Sequence, residues 1–261
     1  MKVSELMTNG TEATLTPRDT LELAAQMLLW GDIGHLPVVA HGRVVGSCAE
    51  ADLVGRNDLT VPVALVMRTP PVVVGADDEL DTAAAIMAEQ GVTAIPVVDS
   101  DARLVGTLLA ADLLRLLVAR ITRRRGGAGE TVAVAMTRNV VTVHAGDLLA
   151  DAAARMQSIG IRHLPVLDGD GCLIGIISDR DLRTAAGSTE ALAEDAPRAR
   201  PLKVRDVMSR DPLTTTPTST LDQAGRALVE HRIGALPVVD DARHVVGMLS
   251  YVDYIRATTA P

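Results

Sequence analysis

Apolar and polar positions along the chain fall into one pattern, written four times. The clearest mark is an apolar run broken by a single proline: IGHLPVV, VTAIPVV, IRHLPVL and IGALPVV, carrying Pro37, Pro96, Pro165 and Pro237. Nine or ten residues later a glycine leads a second apolar run, at Gly46, Gly106, Gly175 and Gly247. Six residues beyond each glycine stands an aspartate: Asp52, Asp112, Asp181 and Asp253. Each unit opens on a methionine segment, ELMT, LVMR, VAMT or DVMS. The Met, Gly and Asp marks all advance by 60, then 69, then 72 residues. Three markers holding one register define a repeat.

Within a unit the period of the pattern changes. After the Met segment comes a short extended stretch, such as NVVTVH or PLTTTP. An Asp, Ser or Thr then starts a helix. In the third unit Asp147 opens it, and Leu148, Ala152, Met156 and Ile159 form an apolar stripe for burial against a sheet. The Pro-bearing strand follows, and VLDGDGCLIGII reads as a hairpin by its turn chemistry. A second helix is expected from the residue before the repeated Asp. The order is β-α-β-β-α, an α+β unit of roughly 55 residues, too small to cover both faces of its own sheet. Units should therefore pair through their sheets, one with two and three with four. The repeats are placed at 1–56, 57–120, 132–186 and 204–258. Between them lie a linker at 121–131, basic and then Gly-rich, and one at 187–203 with room for a short helix before Pro197. The basic run Arg123, Arg124 and Arg125 reads first as a solvated linker face.

Composition narrows the functional classes. Apolar residues make up 48% of the 261, with 22% charged and a net charge of −8. Neither half is basic, so a broad footprint for nucleic acid is absent. The aromatic residues are Trp30, Tyr251 and Tyr254, too few for base-stacking platforms. No apolar run is long enough for a membrane span, and the first residues lack a signal-peptide core, so a cytoplasmic location is expected. Cys48 and Cys172 form neither a disulfide framework nor a zinc set and read as small buried hydrophobes. His144 and His231 have no partners at metal-ligand spacing.

The stretches VRDVMSRDPLTTTP…IGALPVVDDARHVVGMLSYVDYI and VAVAMTRNVVTV…IRHLPVLDGDGCLIGIISDRDLRT resemble the CBS domain, named after cystathionine β-synthase. The resemblance extends over all four repeats. It implies pairs of domains joined as Bateman modules, and four in one chain look like the gamma subunit of AMP-activated protein kinase. There two modules form a disc; here the disc would form within one chain or across a homodimer. The family implies an adenosine ligand: AMP, ADP, ATP, NAD, S-adenosylmethionine or a diadenosine polyphosphate. It also implies a regulatory role toward an effector protein. The repeats use nearly the whole chain and leave no nucleophile–base pair for an enzyme. A structural CBS protein without ligand, or a nucleic-acid-binding one, is the alternative.

The family's signature is Gly, two apolar residues, Ser or Thr, two variable residues and Asp. It is present as Gly175, Ile176, Ile177, Ser178, Asp179, Arg180, Asp181 and as Gly247, Met248, Leu249, Ser250, Tyr251, Val252, Asp253. A carboxylate in the first helical turn can accept both ribose hydroxyls through charge-assisted bonds. A Ser at the helix start adds an anion site for phosphate, with Arg180 as a further cation. Ile177 is assigned to the adenine face. Before the strand proline, Arg162 and His163 are assigned to phosphate, and Gly234 with Ala235 to close backbone approach by a ligand. His35 holds the equivalent place in the first unit. Ser followed three residues on by an acid is equally a helix capping box needing no ligand. Units one and two carry Ala49 and Leu109 at the hydroxyl position, so Asp52 and Asp112 are the weaker acceptors.

Overall fold

A computed structural model describes residues 1–10, 13–31, 35–49, 52–53, 58–123, 130–182, 184–185 and 201–259. The chain divides into two compact units, Met1–Arg124 with Tyr254–Pro261, and Arg125–Asp253. Most of linker 121–131 and of linker 187–203, including the expected helix before Pro197, lies outside the described residues.

Repeats 2, 3 and 4 build the helix, hairpin and second helix in the expected order; repeat 1 shows its first helix and hairpin, and the stretch expected to form its second helix lies largely outside the described residues. Repeat 1 contains β1 (Thr8–Asn9), α1 (Leu21–Gly31), β2 (His35–Ala40) and β3 (Arg43–Ala49). Repeat 2 contains β4 (Val74–Gly75), α2 (Leu80–Gln90), β5 (Ala94–Val98), β6 (Leu104–Leu109) and α3 (Ala110–Arg123). Repeat 3 contains α4 (Val132–Ala135), β7 (Val143–His144), α5 (Leu149–Ile159), β8 (His163–Leu167) and β9 (Leu173–Ser178), followed by helical residues at 179–182 and 184–185. Repeat 4 contains β10 (Ser209–Arg210), α6 (Leu221–Glu230), β11 (Ala235–Val239), β12 (Val245–Ser250) and α7 (Tyr251–Thr259). The VLDGDGCLIGII hairpin is β8 and β9, its turn held by Asp168 Oδ1, which accepts from the Asp170 and Cys172 amides.

Several local expectations need correction. Leu148 is the N-cap of α5 and Asp147 stands one residue outside it, accepting from the His144 amide. Ala152 and Met156 are buried, but Leu148 and Ile159, at the two ends of the stripe, face solvent. The second helices start two residues before the repeated Asp, at Ala110 and Tyr251. Cys48 is buried, whereas Cys172 sits at a hairpin turn and is only partly covered.

Pairing within each unit rests on an exchange. The Met segment of every repeat leaves its own sheet and lies antiparallel to the Gly-bearing strand of its partner. β1 of repeat 1 joins β6 of repeat 2, giving the order β1-β6-β5-β4. β10 of repeat 4 joins β9 of repeat 3, giving β10-β9-β8-β7. The return contacts are the bridges Ser47 to Arg68 and Thr137 to Met248. The glycine is required by this approach. A Cβ on Gly46, Gly175 or Gly247 would lie 2.8, 2.7 or 2.6 Å from the Sδ of Met67, Met208 or Met136, and one on Gly106 would lie 2.6 Å from the Thr8 carbonyl oxygen. The repeated Met and the repeated Gly are thus two halves of one contact.

The same exchange closes the helix starts. Four amides at a helix N-terminus lack intrahelical partners. Here the Leu21 and Leu80 amides donate to Val61 and Met1 carbonyls, and those of Leu149 and Leu221 donate to Leu202 and Glu130. Val63 enters the core of repeat 1 beside Leu21, Leu28 and Leu36, and Val204 enters that of repeat 3 beside Met156 and Leu164. Each such valine is worth about 1.5–3 kcal/mol by burial. Neither repeat 1 nor repeat 3 completes its core alone.

Candidate functional site

The hairpin register brings the two sequence motifs of each repeat together. The residue two before the strand proline lies opposite the signature hydroxyl position: His163 opposite Ser178, Ala235 opposite Ser250, and His35 opposite Ala49. A backbone bond then ties the helix start to the strand start, from the Asp179 amide to Arg162 O and from the Tyr251 amide to Gly234 O.

In unit 2 both signature pairs form closed capping boxes. The Ser178 amide and hydroxyl donate to Asp181 Oδ2 at 2.8 and 2.7 Å, and the Asp181 amide returns a bond to Ser178 Oγ at 3.2 Å. The Ser250 amide and hydroxyl donate to Asp253 Oδ2 at 2.9 and 2.5 Å, with the return bond at 3.3 Å. Each carboxylate therefore commits Oδ2 to its own helix. Asp253 Oδ1 takes the Thr137 hydroxyl from the exchanged strand at 3.3 Å, while Asp181 Oδ1 has no bond among the described residues.

Unit 1 differs at both carboxylates. Asp52 Oδ2 accepts the Ala49 amide at 2.8 Å, but its Oδ1 takes Arg68 Nε at 2.8 Å. Asp112 turns to Arg115 within its own helix. The residue after the exchanged methionine thus reaches the partner's aspartate at Arg68 and Thr137, a contact invisible to motif reading. Its only trace in the sequence is the fixed step of the Met segment.

Other assignments shift. Ile177 is fully buried in the repeat 3 core with Ala152 and Met156, on the helix-bearing face of the sheet, so it does not line the cleft. Strand alternation sends it opposite to its neighbours. The open backbone at Gly234 is filled by protein: a Cβ there would lie 2.8 Å from His163 Cε1. Arg162 is already bound, its Nε donating to Asp179 Oδ2 at 2.8 Å. Burial holds the His163 imidazole below its ordinary range; Asp179 opposes this, Arg162 adds to it, and Asp181 opposes it more weakly. Ala235 is buried, Arg180 is exposed, and His35 is half-buried.

An open groove of about 330 Å³ in repeat 4 contains none of these residues. It is lined by Leu213, Thr214, Thr215, Thr216 and Ala227 among others, on the helix-bearing face. Thr215 stands where Leu15, Val74 and Val143 are buried in the other repeats, so this edge is less filled.

Four repeats of helix and hairpin, exchanged in pairs and each carrying an aspartate just beyond its second hairpin strand, define one fold class. The CBS domain model matches residues 3–56, 63–119, 130–188 and 204–259, and the chain belongs to the CBS-domain family, arranged as Bateman modules. Along its whole length it is similar to protein MJ1225 of Methanocaldococcus jannaschii, 25% identical over 281 residues and covering 98% of both chains. The crystal structure of that protein, presented as a proposed archaeal homologue of gamma-AMPK, superposes with a TM-score of 0.85 at 24% identity over 98% of this chain and 99% of that one. An uncharacterised conserved protein from Pyrococcus horikoshii gives 0.71 at 24% identity, over 99% and 100% of the two chains. Among described residues no helix is long and apolar enough to cross a membrane.

Proposed function

We propose that this chain is a non-catalytic regulatory protein that binds adenosine nucleotides in unit 2, at Ser178–Asp181 and Ser250–Asp253. The observation that carries this reading is the division of labour within each carboxylate. Oδ2 is held by the helix cap, which fixes the side chain, and Oδ1 of Asp181 keeps its acceptor capacity for a ribose hydroxyl. A preorganised charged acceptor forms the stronger class of hydrogen bond without an ordering cost at the moment of binding. Arg162, His163 and Arg180 supply cationic and donor groups for phosphate, with Arg162 leaving Asp179 to do so. His163 adds a ring N–H donor for phosphate from a half-buried position.

Unit 1 acts in contact with an effector protein or a second copy of the chain, since its aspartates are engaged by Arg68 and Arg115. Membership of the CBS family supports an adenosine ligand, and the choice among AMP, ADP, ATP, NAD and S-adenosylmethionine is open to experiment. Native mass spectrometry of the purified protein reads a retained adenylate and the oligomeric state together. Adenylate bound to the wild type and absent from Asp181→Ala/Asp253→Ala is the expected result. The competing reading, a capping box with no ligand, expects neither protein to carry adenylate.

A further inference from the structure

The four residues that follow the exchanged methionines occupy one structural position: Thr8, Arg68, Thr137 and Ser209. Three carry a short hydroxyl and one carries a guanidinium. The backbone of Arg68 is fixed by mutual bonds with Ser47, at 2.8 and 3.1 Å, and by Met67 seated on Gly46. From this rigid strand the side chain extends to Asp52, whose carboxylate is only 12% exposed, while Arg68 itself is 55% exposed. A long, largely solvated side chain is thus held at a nearly buried acid.

We propose that Arg68 is a built-in occupant of the repeat 1 cleft. Its Nε takes Asp52 Oδ1, the oxygen that a ribose hydroxyl needs, and so closes this position to adenosine ligands. The Ala49 amide already holds Oδ2, so both oxygens of the acid are engaged by the protein. Thr137 makes the corresponding contact to Asp253 through a neutral hydroxyl at 3.3 Å, which a ligand hydroxyl can replace at little cost. A guanidinium on a carboxylate is charge-assisted and shielded here from water on the acid's side, so a neutral hydroxyl does not displace it. The difference between a closed and an open cleft therefore lies in one residue supplied by the partner repeat. This inference rests on the adenosine-binding reading of the signature aspartates.

The test is calorimetric titration of the full chain with AMP and with ATP. Asp181→Asn/Asp253→Asn first silences unit 2, and Arg68→Thr and Ala49→Ser/Arg68→Thr are added to that background. The expected result is a new site in the Arg68→Thr chains, bound at least about 10-fold more tightly than any binding by their parent, and lost again on Asp52→Asn. Arg68→Gln keeps the long stem and serves if Arg68→Thr does not fold, which circular dichroism reports. No added binding in any folded Arg68 variant overturns the inference, as does an Asp52-dependent site already present with Arg68 in place. The reading of unit 2 fails separately, if Asp181→Asn/Asp253→Asn binds AMP and ATP as the wild type does.

Discussion

Single residues decide what the signature can do. In the proposed reading Asp181 serves two purposes, capping through Oδ2 and ligand acceptance through Oδ1, and the two separate experimentally. Loss of a charged acceptor costs about 1.5–3 kcal/mol of binding, so Asp181→Ala should weaken adenylate binding by roughly 10- to 150-fold. An acidic residue in the first helical turn contributes about 0.3–1 kcal/mol to folding, so the same variant should melt only modestly lower. A melting shift without an affinity change would leave capping as the whole role. His163 gives a second prediction. Burial lowers its folded pKa, so the unfolded chain takes up the proton at higher pH than the folded one. Its contribution is complete above the ordinary imidazole pKa and declines as pH falls below about 6.5 toward the folded value. His163→Gln should flatten this part of the stability curve between about pH 7 and 5, read by denaturant unfolding at a series of pH values. An unchanged slope would remove His163 from the account.

At the scale of elements, the exchanged strand is the critical device. Met and Gly recur together because one fills the space the other leaves. Gly106→Ala places a Cβ against the Thr8 carbonyl, a backbone atom with no rotamer to yield. Overpacking of this kind costs about 1–3 kcal/mol, and thermal unfolding should report the loss. Helix ends offer the opposite sign. Gly91 and Gly160 close α2 and α5 in the left-handed region, at φ 67° and 73°. Repeat 4 places Arg232 at the corresponding position with φ 53°. A side chain there is strained by roughly 1–2 kcal/mol, partly offset by the greater chain entropy of glycine when unfolded. Arg232→Gly should therefore stabilise the protein by about 0.5–1 kcal/mol.

For the molecule as a whole, the exchange makes the pair of repeats the smallest unit with a complete core, and each helix start is closed by its partner's chain. Ligand bound at a signature aspartate also touches the region of an exchanged strand, as Thr137 beside Asp253 illustrates. In the proposed reading, binding to one repeat would tighten both members of its pair and so offer an effector a surface to read. With ATP, amide exchange should slow at 136–138, 161–163, 178–181 and 250–253 in unit 2. Residues 47–49 and 66–68 of unit 1 should exchange as before while Arg68 remains. Equal protection in both units would contradict the asymmetry.

The repeat was legible in the sequence because three markers keep one register, and the α+β order, the hairpins and the Ser–Asp pairs because each depends on residues within one turn or one strand of each other. The capping bonds of Ser178 with Asp181 span three residues, and local chemistry determines them wherever the chain goes. Only the tertiary structure decided where the Met segments lie, because their partners sit in the neighbouring repeat and no periodicity encodes that distance. The same holds for Arg68 on Asp52 and for His163 against Gly234, both contacts across a repeat boundary. Ile177 shows the limit within one motif: its spacing from Asp181 is visible in the sequence, but its face is set by the strand's pleat against α5. Motif spacing determined which residues are near one another along the chain; sheet pairing decided which groups of the partner repeat reach Asp52 and Asp253.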